Sequence, residues 1–141
     1  MSTTIQPQTM TVLVLDVDGT LSEQSVEVVD GDTQSLAIPR AVMGHGATVA
    51  QCIGEMFDMA VWCDEDGKVK ELPSNPVATL AIATAIGLPG DFLVGRIVFV
   101  AHDEQGRQVS VTRQQHALLA SHVEGAEVIH ALLGSPSLII G

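Results

Sequence analysis

The stretch Leu72-Pro-Ser-Asn-Pro76 opens directly onto ten residues, 77–86, that are almost all apolar, and Gly87 follows them. Asn75 can accept from the first free backbone amides of a helix, and Pro76 suits the first helical position, where no amide donor is needed. Gly87 stands where a helix ending in the left-handed conformation places glycine. The spacing therefore predicts a helix over 77–86. Because it is apolar on nearly all sides, it must be buried rather than amphipathic. A chain that buries such a helix needs a sheet or further helices packed around it.

The flanking sequence supplies them. Residues 11–15 (Thr-Val-Leu-Val-Leu) form a continuous β-rich apolar run, and 25–28 alternate at period two. With Asp18-Gly19 between them, they predict an N-terminal β-hairpin. Residues 59–63 read as a strand that turns at 64–67 into a partner at 68–72. Residues 96–101 read as a strand turning at 103–106 into 108–111. Val49, Cys52, Ile53, Met56 and Phe57 recur at helical spacing, which predicts an amphipathic helix over 48–57 with Thr48 as its cap. Thr112 caps a helix to about residue 121, and 128–133 form another short helix. The tail at 135–141 is apolar and is expected to add a strand or meet another chain. The expected fold is α+β, with a mixed or mostly antiparallel sheet, an N-terminal hairpin and two to four packed helices. Residues 1–10 read as a frayed N-terminus and 11–141 as a single domain.

Composition narrows the function. The chain has 141 residues, of which 46% are hydrophobic, enough for a sizeable core. Seventeen acidic against six basic residues give a formal charge of −11. Such a surface repels phosphate backbones, so no direct nucleic-acid binding is expected. Pro89, Asp91 and Arg96 interrupt the longest apolar run before it could span a membrane. No basic-then-apolar leader opens the chain, which predicts a cytoplasmic protein. Cys52 and Cys63 are too few for a disulfide framework or a zinc site. The five histidines (45, 102, 116, 122 and 130) are scattered, and His116 and His122 miss the spacing of a helical metal pair. No cofactor is expected.

Asp16-Val-Asp-Gly-Thr20, following an apolar strand, resembles the first motif of the haloacid-dehalogenase phosphatases. That resemblance implies Asp16 as nucleophile, Asp18 as general acid/base and Mg²⁺ as counter-charge. The chemistry needs more than the string. A phosphoaspartate requires a nearby lysine, which in that family precedes the metal-holding acidic pair. Here only Arg40 lies between Asp18 and Asp64, and Lys68 and Lys70 come after the acidic cluster Asp64-Glu-Asp66. The family also runs from its motif into a crossover helix, whereas residues 25–28 alternate as a strand. The hairpin-turn reading is preferred. Nor do Asp16 and Asp18 fit a calcium loop, since Val14 and Ser25 would have to be its first and twelfth ligands.

A longer pattern covers about residues 10–112. It comprises Asp16-x-Asp-Gly-Thr20, Trp62-Cys-Asp-Glu-Asp-Gly-Lys68, Leu72-Pro-Ser-Asn-Pro76 and Gly90-Asp-Phe-Leu-Val-Gly95 before a valine-rich strand. Their order resembles a family of small proteins of unknown function found in phages, plasmids and actinobacterial genomes. The resemblance implies an accessory role for a mobile element and carries over no catalytic residue. It leads to a non-catalytic protein that binds a host protein or a small ligand. The expected binding surface lies where the Asn75-Pro76 turn meets the Trp62 strand, with Arg40 and Arg96 as scarce cations that either pair with a carboxylate, the preferred reading, or hold an anionic group. Ligand-binding candidates are thus Arg40, Trp62, Asn75 and Arg96. A phosphatase at Asp16 and an acidic DNA-mimic inhibitor are the alternatives. The high apolar fraction predicts self-association into a homo-oligomer.

Overall fold

The computed structural model describes residues 8–28, 50–87 and 92–133. Arg40 and the tail at 135–141 lie outside the described residues. The elements are β1 (Gln8–Leu15), β2 (Leu21–Val28), β3 (Ala50–Met56), β4 (Met59–Asp64), α1 (Pro76–Ile86), β5 (Ile97–His102), β6 (Gln108–Val109) and α2 (Arg113–Leu133). The strands make one antiparallel sheet in the order β2-β1-β5-β4-β3, with β6 pairing β5 as well. The class is α+β.

The expected N-terminal hairpin is present. β1 pairs β2 from Gln8↔Val28 to Leu15↔Leu21. Asp16–Thr20 turns the chain, with the Asp16 amide donating to Thr20 O at 2.9 Å and the Gly19 amide to Asp16 O at 3.0 Å. Gly19 has φ +89°, a backbone that only glycine adopts without strain.

Alternation in the central strands separates two cores. Leu13, Leu15, Met59, Val61, Ile97 and Phe99 face α1 and α2, together with Leu80, Ile82, Leu119 and Val123. Met10, Val12, Val14, Val26, Val98 and Val100 face the other side of the sheet and are also buried, with Trp62 packed against them. Burial on both faces is why β1 and β5 read as unbroken apolar runs rather than alternating ones.

β3 corrects the helix expected over 48–57. Its register shifts between Cys52 and Gly54, so two residues there oppose one on β4. This β-bulge breaks the period of two. Cys52 pairs Trp62 on the far face, Glu55 pairs Ala60, and Met56 is turned into the helix-side core. The resulting apolar spacing imitates a helix although the chain is extended. The β3–β4 connection is the two-residue turn Phe57-Asp58, with φ +55° and +61°, the left-handed pair that such a hairpin requires.

The strand expected over 68–72 is instead a run of hydrogen-bonded turns, with the Lys70 amide donating to Asp66 O and the Leu72 amide to Gly67 O. Val69 and Leu72 are three apart and cannot share a strand face. Val69 is left exposed, while Lys70 Nζ reaches back 2.8 Å to Asp64.

α1 has the expected ends. Asn75 Oδ1 accepts from the Ala78 amide, and the Gly87 amide donates to Ala83 O with φ +84° at the glycine. Its first half is buried through Ile82, and its last turn emerges, with Ile86 exposed. α2 is one continuous helix where two were expected. Thr112 and Gln115 cap it reciprocally, Gln115 N to Thr112 Oγ1 at 3.1 Å and Thr112 N to Gln115 Oε1 at 2.9 Å. Gly125 does not break it, because its position is open and the neighbouring Val123 and Ala126 are anchored in the core.

Candidate functional site

The structure separates the residues singled out from sequence. Asn75 is fully buried beneath the start of α1. Its Nδ2 donates to Leu15 O at 3.0 Å and to Gly95 O at 2.9 Å, while its Oδ1 caps the helix. It ties the end of β1, the approach to β5 and α1 together, and every polar atom of its side chain is used. Arg96 lies at the same end of the sheet, with its guanidinium 3.1 Å from Asp16 Oδ2. Trp62 sits on the opposite face of the sheet from the helices, in the cluster of Val98 and Val100. Trp62 and Asn75 are therefore on different sides of one layer.

The Asp16–Thr20 motif is a self-contained turn. Asp16 Oδ1 accepts from the Val17 amide, and Asp18 Oδ1 accepts from the Thr20 amide, both at 2.9 Å. The Thr20 backbone amide, then its side chain, holds the Asp18 carboxyl below the usual carboxylate range. β1 passes through this turn straight into an antiparallel neighbour, with no crossover helix. Among the described residues, no group of three or more His, Cys, Asp or Glu is arranged to hold a metal ion.

Around Trp62 the sheet forms an open groove of about 860 Å³, lined by Glu55, Asp58, Ala60, Trp62, Val100, His102, Asp103, Glu104, Gly106 and Gln108. That is within the size range of sites that take small ligands. Each wall has a local cause. β6 pairs Ala101 and His102 of β5, and the Val111 amide just beyond it donates to Thr11 O at 3.0 Å. The 108–111 segment thus wedges between β1 and β5 where these two strands part, and it brings Gln108 opposite His102. The β3 bulge sets Glu55 opposite Ala60 on the groove side. The left-handed Phe57-Asp58 turn supplies Asp58, its two carbonyls held by Gln115 Nε2 of α2 at 3.0 and 3.5 Å. The β5–β6 turn supplies Asp103 and Glu104.

The floor of the groove is polar and incompletely satisfied. Trp62 Nε1 and Gln108 Oε1 are both buried without a hydrogen-bond partner among the described residues. His102 Nε2 lies 2.9 Å from Glu55 Oε1, within ion-pair reach, but the approach is not aligned for a hydrogen bond. Asp103 is committed to its own turn. It accepts from the Arg107 and Gln105 amides and from Arg107 Nε, each at 2.9 Å, and the Arg107 backbone amide foremost holds its carboxyl below the usual range. Asp58 and Glu104 have no side-chain ion pair among the described residues.

Two other hollows are less suited to a ligand. One of about 450 Å³ between α1 and α2 is mostly apolar, and the imidazole of His122 in it already meets Ala81 O at 2.7 Å and Thr84 Oγ1 at 3.0 Å. The other, beside Lys68 and Phe92, holds about 180 Å³.

Of the groove residues, only Trp62 was singled out from sequence. The others come from two hairpin turns and one bulge that meet at the same end of the sheet. The signal that could have found them is an acidic residue next to an apolar strand, Asp58 before 59–63 and Asp103-Glu104 after 96–101, of which only 103–106 reads as a turn. No helix among the described residues is long and apolar enough to cross a membrane. No curated protein and no solved structure matches the chain. Residues 10–124 match the model of a family described as a domain of unknown function (DUF3846), and the chain belongs to that family.

Proposed function

We propose that this protein acts by binding rather than by catalysis, holding a small ligand or a segment of a host protein in the groove between β3, β4, β5 and β6, as an accessory protein of a phage or mobile element. One observation carries the binding role: the groove is lined by residues that hold a buried donor, Trp62 Nε1, and a buried acceptor, Gln108 Oε1, neither of which has a hydrogen-bond partner among the described residues. A buried unsatisfied polar group costs about 1–3 kcal/mol, so two in one groove are a standing loss that a ligand would offset. The accessory role rests on the sequence resemblance to phage, plasmid and actinobacterial proteins.

The alternatives have less behind them. Against the phosphatase reading stand the engagement of Asp16 by Arg96 and the hairpin in place of a crossover. Against the DNA-mimic reading stands the gathering of carboxylates in turns rather than along one helix face. The charge of −11 favours a partner other than nucleic acid.

The test is a thermal-shift screen of a chemically varied ligand panel on the full chain and on Gln108→Leu. Removing an orphaned buried acceptor should raise the unliganded melting temperature while abolishing the shift given by groove ligands. A variant that melts lower and responds to the panel like the parent protein would refute this reading.

A further inference from the structure

We infer that the groove recognises a guanidinium group presented beside a hydrogen-bond acceptor, as in an amide-linked arginine. The inference rests on the binding role proposed above and names the class of ligand.

Three features select it. The first is charge. Glu55, Asp58, Asp103 and Glu104 line the groove with His102, which lies 2.9 Å from Glu55, and no lysine or arginine among the described residues lines it; Arg107 is spent on Asp103 and Gln105, which leaves Asp58 and Glu104 as carboxylates without an ion pair among the described residues. An anionic ligand would be repelled and a cationic one drawn in. The second is the pair of orphaned atoms. Gln108 is only 9% exposed, and its Oε1 requires an N–H donor, while Trp62 Nε1 requires an acceptor. A bare cation satisfies only one of them. The third is the spread of the carboxylates. They come from three separate backbone segments and do not converge as the oxygens around Ca²⁺ or Mg²⁺ must. A guanidinium suits dispersed acceptors because it offers five N–H donors in a planar fork, is more weakly hydrated than an ammonium, and stacks on aromatic rings such as the indole of Trp62. A carbonyl next to it in the ligand would complete the indole N–H.

Trp62 is the only tryptophan and the chain has no tyrosine, so its fluorescence reports on the groove directly. The experiment titrates the full chain with N-acetyl-argininamide, with the corresponding lysine and citrulline amides, and with agmatine, which has the guanidinium but no carbonyl. The argininamide should give a saturable change that weakens as salt is added. Agmatine and the lysine amide should bind roughly tenfold more weakly, and the neutral citrulline amide should not bind. Asp58→Asn, which keeps a residue tolerant of the left-handed turn, and Gln108→Leu should each weaken argininamide by about tenfold. Stronger binding by an arginine-containing tripeptide than by argininamide would place the group on a protein partner, and equal binding on a free small molecule.

Citrulline binding as well as arginine, or argininamide binding unchanged in both variants, overturns the assignment. If a neutral or anionic compound binds and is lost in Gln108→Leu while argininamide gives nothing, the ligand class is wrong but the groove still binds. If no compound in either set distinguishes the variants from the parent chain, the binding role falls with it.

Discussion

Replacing Asn75 separates two jobs that one side chain performs. As a helix cap it needs only its carbonyl oxygen, which accepts from the Ala78 amide at 3.2 Å. As a strap it needs its amino group, which donates to Leu15 O and Gly95 O. Asn75→Ala removes all three bonds at a site with 0% exposure, where water cannot replace them. At about 1–2 kcal/mol per buried bond left without its partner, the loss is about 3–6 kcal/mol, a large share of a domain's net stability. Asn75→Asp is the sharper test. Aspartate caps helices as well as asparagine does, so a residue that only caps would be replaced at almost no loss. A carboxylate cannot donate, however, and it would face two carbonyl oxygens out of reach of solvent. The strap therefore predicts that Asn75→Asp at pH 8 is at least as destabilising as Asn75→Ala. The assay is urea unfolding followed by circular dichroism, comparing midpoints at unchanged m-value. An aspartate variant within about 0.5 kcal/mol of the parent would refute the strap and leave only the cap.

The remaining predictions concern other parts of the fold. Thr79→Val should cost about 1–3 kcal/mol in the same urea assay, because the buried Oγ1 donates to Asn75 O at 2.8 Å and accepts from the Leu93 amide at 2.9 Å. Asp58→Gly should raise stability by about 1 kcal/mol by relieving the left-handed backbone at φ +61°, while weakening argininamide capture; a lower urea midpoint would contradict the strain. Asp16→Asn should change stability by less than about 1 kcal/mol, as a partly exposed ion pair allows, and should leave hydrolysis of p-nitrophenyl phosphate with Mg²⁺ unchanged from the parent chain. Hydrolysis that the substitution abolishes would restore the phosphatase reading. The Asp18 carboxyl is held below 3.8, so its contribution is complete above that pH and is lost as the pH falls through the lower folded-state value. Asp18→Asn should flatten that acid-side loss, and a carboxyl resonance titrating at or above 3.8 would contradict the turn geometry.

How far the sequence revealed the molecule depended on whether each signal was local. Asn75, Pro76 and Gly87 announce the limits of α1 because caps act within one turn of chain. The Asp18-Gly19 turn was equally plain. β3 was misread because one extra residue at the bulge turns a strand's alternation into something close to a helix's spacing. α2 reads as two helices from sequence but is continuous, because Val123 and Ala126 on either side of the open Gly125 position are anchored in the core. The groove was the least legible part. Glu55 faces Ala60 only by virtue of the bulge, and Gln108 faces His102 only because a two-residue strand fills the gap between β1 and β5. For Arg96 the carboxylate-pairing reading fits, but its partner, Asp16, stands eighty positions earlier and no local pattern names it.

The place of β5 in the middle of the sheet bears on how the protein is made. On the ribosome, β1 and β2 can zip together early, and so can β3 and β4, since each pair is adjacent in sequence. Neither ribbon can join the other until residues 97–102 have emerged to lie between them. An isolated two-stranded ribbon is at best marginally stable in water. A nascent chain halted before residue 97 should therefore be protease-sensitive along both ribbons, and one halted after α2 has cleared the exit tunnel should become resistant in a single step.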